Sequence, residues 1–385
     1  MTVKELDNTY VAHTYGRVDL CIEKGCGATL YSDDNKKYID FGSGIAVNTF
    51  GACDKVWIDT VTSQLSKIQH TSNYYYTKPC AYLAKMLCEK TGMKKVFFSN
   101  SGAESNECAI KCARKYGTDK NENKNVIITL KNSFHGRTIT TLSATGQDSF
   151  HTNFTPFTEG FIHVEANNID ELKSTLNENV CAIMIEIVQG EGGVNVLNKD
   201  YLDEIEKITT ENDILLIVDE VQTGNGRCGS LYAYMQFGLT PDIVSTAKGL
   251  AGGLPIGATM FNEKTKDVLI KGTHGSTFGG NPISCAGAIS IIERLDKKFL
   301  NEVKEKSEYI KNKVSSFKGV KSISGLGLMI GIETEKEASD ILQECLNNGL
   351  LVLTAKTKVR LLPPLNITYD EIDEGLKILK GVIEG

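Results

Sequence analysis

ILLIVDEVQTGNGRCG, running from Ile214 to Gly229, decides the fold. Its first five residues are all apolar, the length of one buried parallel strand rather than of a helix. Asp219 and Glu220 follow with no intervening turn. A carboxylate at that strand end lies beside the core, where it needs a cationic partner or strong hydrogen bonds.

The same grammar recurs on either side. Val96–Phe98 leads into Ser99-Asn100-Ser101-Gly102-Ala103-Glu104, and Val126–Leu130 leads into Ser133-Phe134-His135-Gly136-Arg137. Val180–Ile187 leads into Gln189-Gly190-Glu191-Gly192-Gly193, and Ile243–Thr246 reaches Lys248-Gly249. Helical stretches such as Glu104–Lys115 and Tyr201–Thr210 lie between the strands, so the class is α/β with a mostly parallel central sheet. In open α/β sheets ligands bind at the carboxyl ends of the strands, and five polar clusters at five such ends predict one site. Residues 51–289 read as this large domain. Residues 1–50 read as an N-terminal segment of short extended pieces that packs with the small domain or a dimer interface. Residues 290–385 read as a smaller α/β domain. A Lys- and Glu-rich helix is expected from about residue 285 to Lys313, and a single Gly-rich strand at Ile323–Ile332. A last helix is expected from Asp370.

Composition excludes several classes. The 385 residues carry 42 Lys+Arg against 48 Asp+Glu, a net charge of −6 without basic clusters, which argues against nucleic acid as a partner. No apolar run approaches membrane-helix length, and the N-terminus has no apolar leader, so neither a membrane nor secretion is expected. The 11 cysteines show no C-x-x-C spacing. They fit reduced thiols in the cytoplasm. The 6 histidines are scattered, so no metal site is expected. Only six arginines occur (Arg17, Arg114, Arg137, Arg227, Arg294 and Arg360), so wherever one falls in a polar cluster it is conspicuous.

Three features define the chemistry. Ser101 and Glu104 have capping-box spacing at a helix start, where free N–H groups bind phosphate. Asp219 suits a protonated pyridine nitrogen. Lys248, at the end of the next strand, supplies an amine for a Schiff base. Together these are the parts that pyridoxal 5'-phosphate requires. Two other patterns compete. Gly224-Asn225-Gly226-Arg227-Cys228-Gly229 matches the dinucleotide fingerprint and would make an NAD-dependent dehydrogenase. Two carboxylates at the mouth of that turn would repel a pyrophosphate. Ser245-Thr246-Ala247-Lys248 matches S-x-x-K, but its serine falls within a strand and no S-D-N or K-T-G accompanies it.

With these residues placed, the chain resembles the class III, fold-type I aminotransferases that depend on pyridoxal phosphate. The resemblance runs from about Asn8 to Ile383. It is carried by SNSGAESNE (99–107), SFHGRT (133–138), VQGEGGV (188–194), DEVQTGNGRCG (219–229), STAKGLAGGLPIGA (245–258), HGSTFGGNP (274–282) and VRLLPPL (359–365). It implies that Lys248 carries the cofactor and that Asp219 meets the ring nitrogen. Glu220, Val221 and Gln222 are implied as further cofactor contacts, with Phe134 on the opposite ring face. Ser101, Gly102 and Ala103 are implied as the phosphate cradle, joined by Thr277 from a neighbouring subunit in a homodimer with shared sites. Arg137, Ser276, Glu191 and Arg360 are implied as substrate contacts, the last two as a pair that opens when 2-oxoglutarate or glutamate binds. Ser43-Gly44-Ile45-Ala46-Val47 resembles members that take N-acetylornithine as amino donor; ornithine, succinylornithine and 4-aminobutyrate are the alternatives. The family's His-rich segment after that run is replaced here by Gly51-Ala52-Cys53-Asp54-Lys55.

Overall fold

Seven strands build the central sheet of the computed structural model, which describes residues 1–385. In chain order they are β1 (Lys95–Ser99), β2 (Val126–Leu130), β3 (Phe161–Val164), β4 (Val180–Ile185), β5 (Leu215–Asp219), β6 (Ile243–Thr246) and β7 (Gly257–Phe261). Across the sheet they run β1-β7-β6-β5-β4-β2-β3. All point the same way except β7, which is antiparallel to both its neighbours. Every residue of β4 and β5 is buried, as expected for strands covered on both faces. Helix α1 (Gly102–Thr118) lays Cys108, Ala109, Cys112 and Ala113 on one side of the sheet, against Ile127, Ala182, Leu215 and Ile243. Cys108 and Cys112 thus act as small apolar residues, and all 11 cysteines are free thiols.

Two smaller sheets flank this one. Ile22–Cys26, Thr29–Ser32 and Lys37–Asp40 form an antiparallel meander, and Leu350–Leu351 adds to it in parallel. The third sheet runs Val320–Leu326, Met329–Thr334, Lys358–Leu361 and Leu353–Ala355. The single strand expected at Ile323–Ile332 is instead a hairpin, because Gly325 and Gly327 adopt φ of 109° and 53° and reverse the chain between its halves. The long helix expected to Lys313 is two helices, Pro282–Ile292 and Lys297–Val314, the second started by an Asp296 cap on the Phe299 N–H. No helix is long and apolar enough to cross a membrane.

Residues Ser43, Gly44, Ile45 and Ala46 form one left-handed turn, with φ of 43°, 65°, 62° and 62°. Three of them are not glycine, so the turn must be held from outside. Asp40 accepts hydrogen bonds from the N–H groups of Gly42 and Ser43 at 2.8 and 2.9 Å. Ser43 Oγ donates to the Leu362 carbonyl at 2.6 Å, and Thr49 Oγ1 donates to the Gly249 carbonyl at 2.7 Å. In the variant segment just beyond, Asp54 caps the next helix through the Trp57 N–H and pairs with Arg294 at 2.9 Å.

Candidate active site

The carboxyl ends of β1, β2, β4, β5 and β6 converge on one cavity of about 230 Å³, lined by Gly102, Ala103, Phe134, Arg137, Asp219, Val221, Gln222 and Lys248 among others. β5 ends in Asp219, which is 3% exposed and accepts three hydrogen bonds. Oδ2 receives Asn106 Nδ2 at 2.7 Å and lies 2.8 Å from His135 Nδ1, while Oδ1 receives the Val221 N–H at 2.9 Å. No Lys or Arg pairs with it.

Lys248 follows β6 at φ 44°, a strained conformation that turns its side chain out of the strand into the cavity wall. Burial pushes its pKa below the ordinary lysine value, although Glu191 and Asp219 pull the other way. At the start of α1, the N–H groups of Gly102 and Ala103 have no intrahelical carbonyl to reach, so they remain available to an anion. Ser101 caps this helix through the Glu104 N–H. A Cβ at Gly102 would lie 2.7 Å from Val221 Cγ1, so only glycine lets the helix start close on that wall.

Beside the cavity, Arg360 Nη1 donates to Glu191 Oε1 at 2.7 Å, to Gln222 Oε1 at 3.0 Å and to the Gly190 carbonyl at 3.0 Å. Gln222 Nε2 also donates to Glu191, at 3.1 Å. Burial works to raise the Glu191 pKa, but the charge and hydrogen bond of Arg360 outweigh it and hold the pKa below the ordinary value. Arg137 is exposed at the mouth, its guanidinium 4.1 Å from the Phe150 ring centre and 5.6 Å from that of Phe134.

Glu220 departs from expectation. Successive strand residues face opposite ways, so its side chain leaves the cavity that Asp219 enters. It accepts from Thr223 Oγ1 at 2.5 Å and the Tyr234 N–H at 2.8 Å, and burial raises its pKa to about 7. Its carboxylate belongs to the packing behind the site rather than to the cavity. Ser276 and Thr277 do not line this chain's cavity either. Ser276 Oγ accepts from Asn100 Nδ2 at 3.1 Å, and Thr277 is exposed.

Besides Gly136, three cavity residues, all with polar side chains, carry no role in the sequence analysis. Asn106 lies one helical turn beyond Gly102 on the inward face of α1, and that spacing is a readable signal. His135 stands between Phe134 and Arg137 in a cluster already singled out. Glu186, just past β4, accepts the Phe134 N–H at 2.9 Å. Burial, then the neighbouring Asp219 charge, raises its pKa well above the ordinary value.

Over residues 10–383 the chain matches the family model described as "Aminotransferase class-III". The chain is a class-III aminotransferase. As a member of that family it depends on pyridoxal phosphate, and the residues present fit that group. Asp219 is a buried carboxylate without a Lys or Arg partner, Asn106 Oδ1 and His135 Nε2 are buried without a partner, and open N–H donors face the cavity. This aminotransferase is 51% identical over 385 residues to the acetylornithine aminotransferase of Haemophilus ducreyi, covering 99% of this chain and 98% of that one. It superposes on an ornithine aminotransferase from Toxoplasma gondii, described with partial occupancy of PLP at its active site, with a TM-score of 0.93 and 31% identity over 99% and 93% of the two chains. The N-acetylornithine aminotransferase of Stenotrophomonas maltophilia superposes with a TM-score of 0.86 and 32% identity, over 98% of each chain.

Proposed function

We propose that this aminotransferase moves the terminal amino group of N-acetylornithine to 2-oxoglutarate, giving N-acetylglutamate 5-semialdehyde and glutamate. The observation that carries the reading is the 51% identity, over almost the whole of both chains, to a relative named for acetylornithine. Bound pyridoxal phosphate supplies an electron sink for the carbon that bears the amine. Gly102 and Ala103 N–H groups and Ser101 would hold its phosphate. Phe134 and Val221 would enclose its ring and exclude water, Gln222 would reach the ring hydroxyl, and Asp219 would hold a proton at the ring nitrogen. Lys248, whose pKa burial holds below the ordinary lysine value, moves the proton from the substrate carbon. Arg137 binds a substrate carboxylate at the mouth. Arg360 stays on Glu191 while the donor is bound and turns to the α-carboxylate of 2-oxoglutarate or glutamate in the other half-reaction. The reaction is ping-pong.

A homodimer completes the site in this reading. Tyr74, Tyr75, Tyr76 and Phe278 are large apolar residues left exposed next to Ser276 and Thr277, the residues assigned to the neighbouring subunit's site. Eleven unpaired cysteines support a cytoplasmic location. Steady-state kinetics with 2-oxoglutarate and a panel of ω-amino donors test the substrate. The highest kcat/KM is expected for N-acetylornithine; a higher value for ornithine, succinylornithine or 4-aminobutyrate would reassign it.

A further inference from the structure

Arg227 belongs to none of the roles above, yet it is one of six arginines and is buried. It sits in the glycine turn after β5, on the same loop as Gln222. Its Nη1 donates to the Leu328 carbonyl at 3.0 Å and to the Pro363 carbonyl at 2.5 Å. Its own carbonyl accepts the Leu328 N–H at 2.9 Å, so the loop grips Leu328 through both of that residue's backbone polar groups. A Cβ at Gly327 would lie 2.5 Å from the Arg227 carbonyl oxygen, so the two segments touch backbone to backbone. On the other side, Nη2 lies 3.5 Å from Ser43 Oγ, whose hydroxyl donates to the Leu362 carbonyl.

These contacts bracket Arg360. Leu328 immediately precedes strand Met329–Thr334, in which Gly331 is paired with Arg360. Leu362 and Pro363 follow immediately after the end of Arg360's strand, Lys358–Leu361. The loop of residues 219–229 therefore reaches the Arg360 side chain through Gln222 and its backbone surroundings through Arg227. We infer that Arg227 is a positioning residue, which fixes the Arg360 guanidinium where it can exchange Glu191 for a substrate α-carboxylate. A planar fork suits this work because it serves two carbonyls and a hydroxyl at once, where an ammonium is a point donor. Burial lowers the Arg227 pKa to about 10, so the fork remains charged at neutral pH.

The inference rests on the role given to Arg360 under the proposed function, and the test separates the two. Calorimetry on the cofactor-loaded enzyme measures binding of glutarate, an unreactive five-carbon dicarboxylate, and steady-state kinetics supply KM for 2-oxoglutarate and for the donor. R227K is expected to weaken glutarate binding and raise the 2-oxoglutarate KM, each about tenfold. The donor KM should change less than about twofold, because Arg360 takes no donor group. Visible absorbance should show full cofactor loading. A purely structural role would raise both KM values together, and that result overturns the inference. R360K is the reference. A loss of glutarate affinity in R360K without one in R227K overturns the inference alone. Unchanged affinity in R360K overturns the role of Arg360, and the inference with it. Should R227K not fold, S43A decides: about threefold weaker glutarate binding supports the inference, and unchanged binding overturns it.

Discussion

His135 Nδ1 and Asp219 Oδ2 stand 2.8 Å apart, with side-chain exposures of 0% and 3%. The imidazole fixes the carboxylate's orientation, and Asn106 holds the same oxygen from the other side. A buried acceptor that loses a donor costs its desolvation penalty, so His135→Ala should destabilise the protein by about 1–3 kcal/mol. Thermal unfolding checks this, and an unchanged midpoint would show that the pair does not hold the fold. Asp219→Asn should keep the shape but lower turnover by about a hundredfold or more, since the negative charge proposed to face the ring nitrogen would be gone. A turnover equal to the parent's, at full cofactor loading, would remove Asp219 from the chemistry.

Lys248 gives a prediction that separates stability from activity. Its pKa is lowered in the folded state, chiefly by burial. The folded protein therefore holds that proton less tightly than the unfolded chain does, and folding is weakened as pH falls below the unfolded lysine value near 10.5. Lys248→Met should abolish turnover and raise the unfolding temperature of the cofactor-free protein at pH 7. The gain should shrink by pH 10. Unfolding scans at both pH values are sufficient, and a gain independent of pH would assign the effect to packing instead.

Glu220 predicts a slope of the opposite sign. Its carboxyl is raised from 4.5 to about 7 by burial, so between those values the folded state binds more proton than the unfolded one. Stability should fall as pH rises through that window, by on the order of 3 kcal/mol for this group alone. Glu220→Gln should flatten the dependence between pH 5 and 7. Urea unfolding of both proteins across that range measures it, and parallel curves would refute the assignment.

Phe150 was not singled out in the sequence, and the structure places its ring under Arg137. An exposed cation–aromatic contact is worth about 0.5–1 kcal/mol, so Phe150→Leu should raise the KM of the carboxylate substrate by roughly threefold and spare kcat. Arg137→Lys, which replaces a bidentate fork with a point charge, should raise it about tenfold. If the Phe150 variant proved the more damaging of the two, the ring would have a role beyond supporting the guanidinium.

What could be read from the sequence follows from the range of the forces involved. Apolar runs that end abruptly in Asp219 or Lys248 announce strand ends, because burying those charges mid-strand would be prohibitive, and the five strands expected in the large domain lie within two residues of observed ones. Glycines at the ends of such runs announced the loops. Pairings that depend on partners far along the chain were hidden. Gly257–Phe261 resembles the loop it follows, and only its two neighbours make it a strand. Asn106 and His135 carried only positional signals, a helical spacing from Gly102 and a place in a polar cluster, and their shared partner Asp219 became visible only in the fold. The sequence points to Asp219 for a ring nitrogen but offers Glu220 as a cofactor contact as well; the alternation at the end of β5 sends the two side chains to opposite sides, with only Asp219 lining the cavity.

The single antiparallel strand also dictates an order of events. β1 has β7 as its only neighbour in the sheet, with Ser99 opposite Gly257. Strand β1 is made early on the ribosome, yet it has no strand partner until the chain has been synthesised past Phe261. Contacts between such distant residues close slowly, and unpaired strands are sticky while they wait. β1, which leads into the segment proposed to hold a phosphate, therefore waits unpaired while about 160 residues, from Ser99 to Gly257, are made.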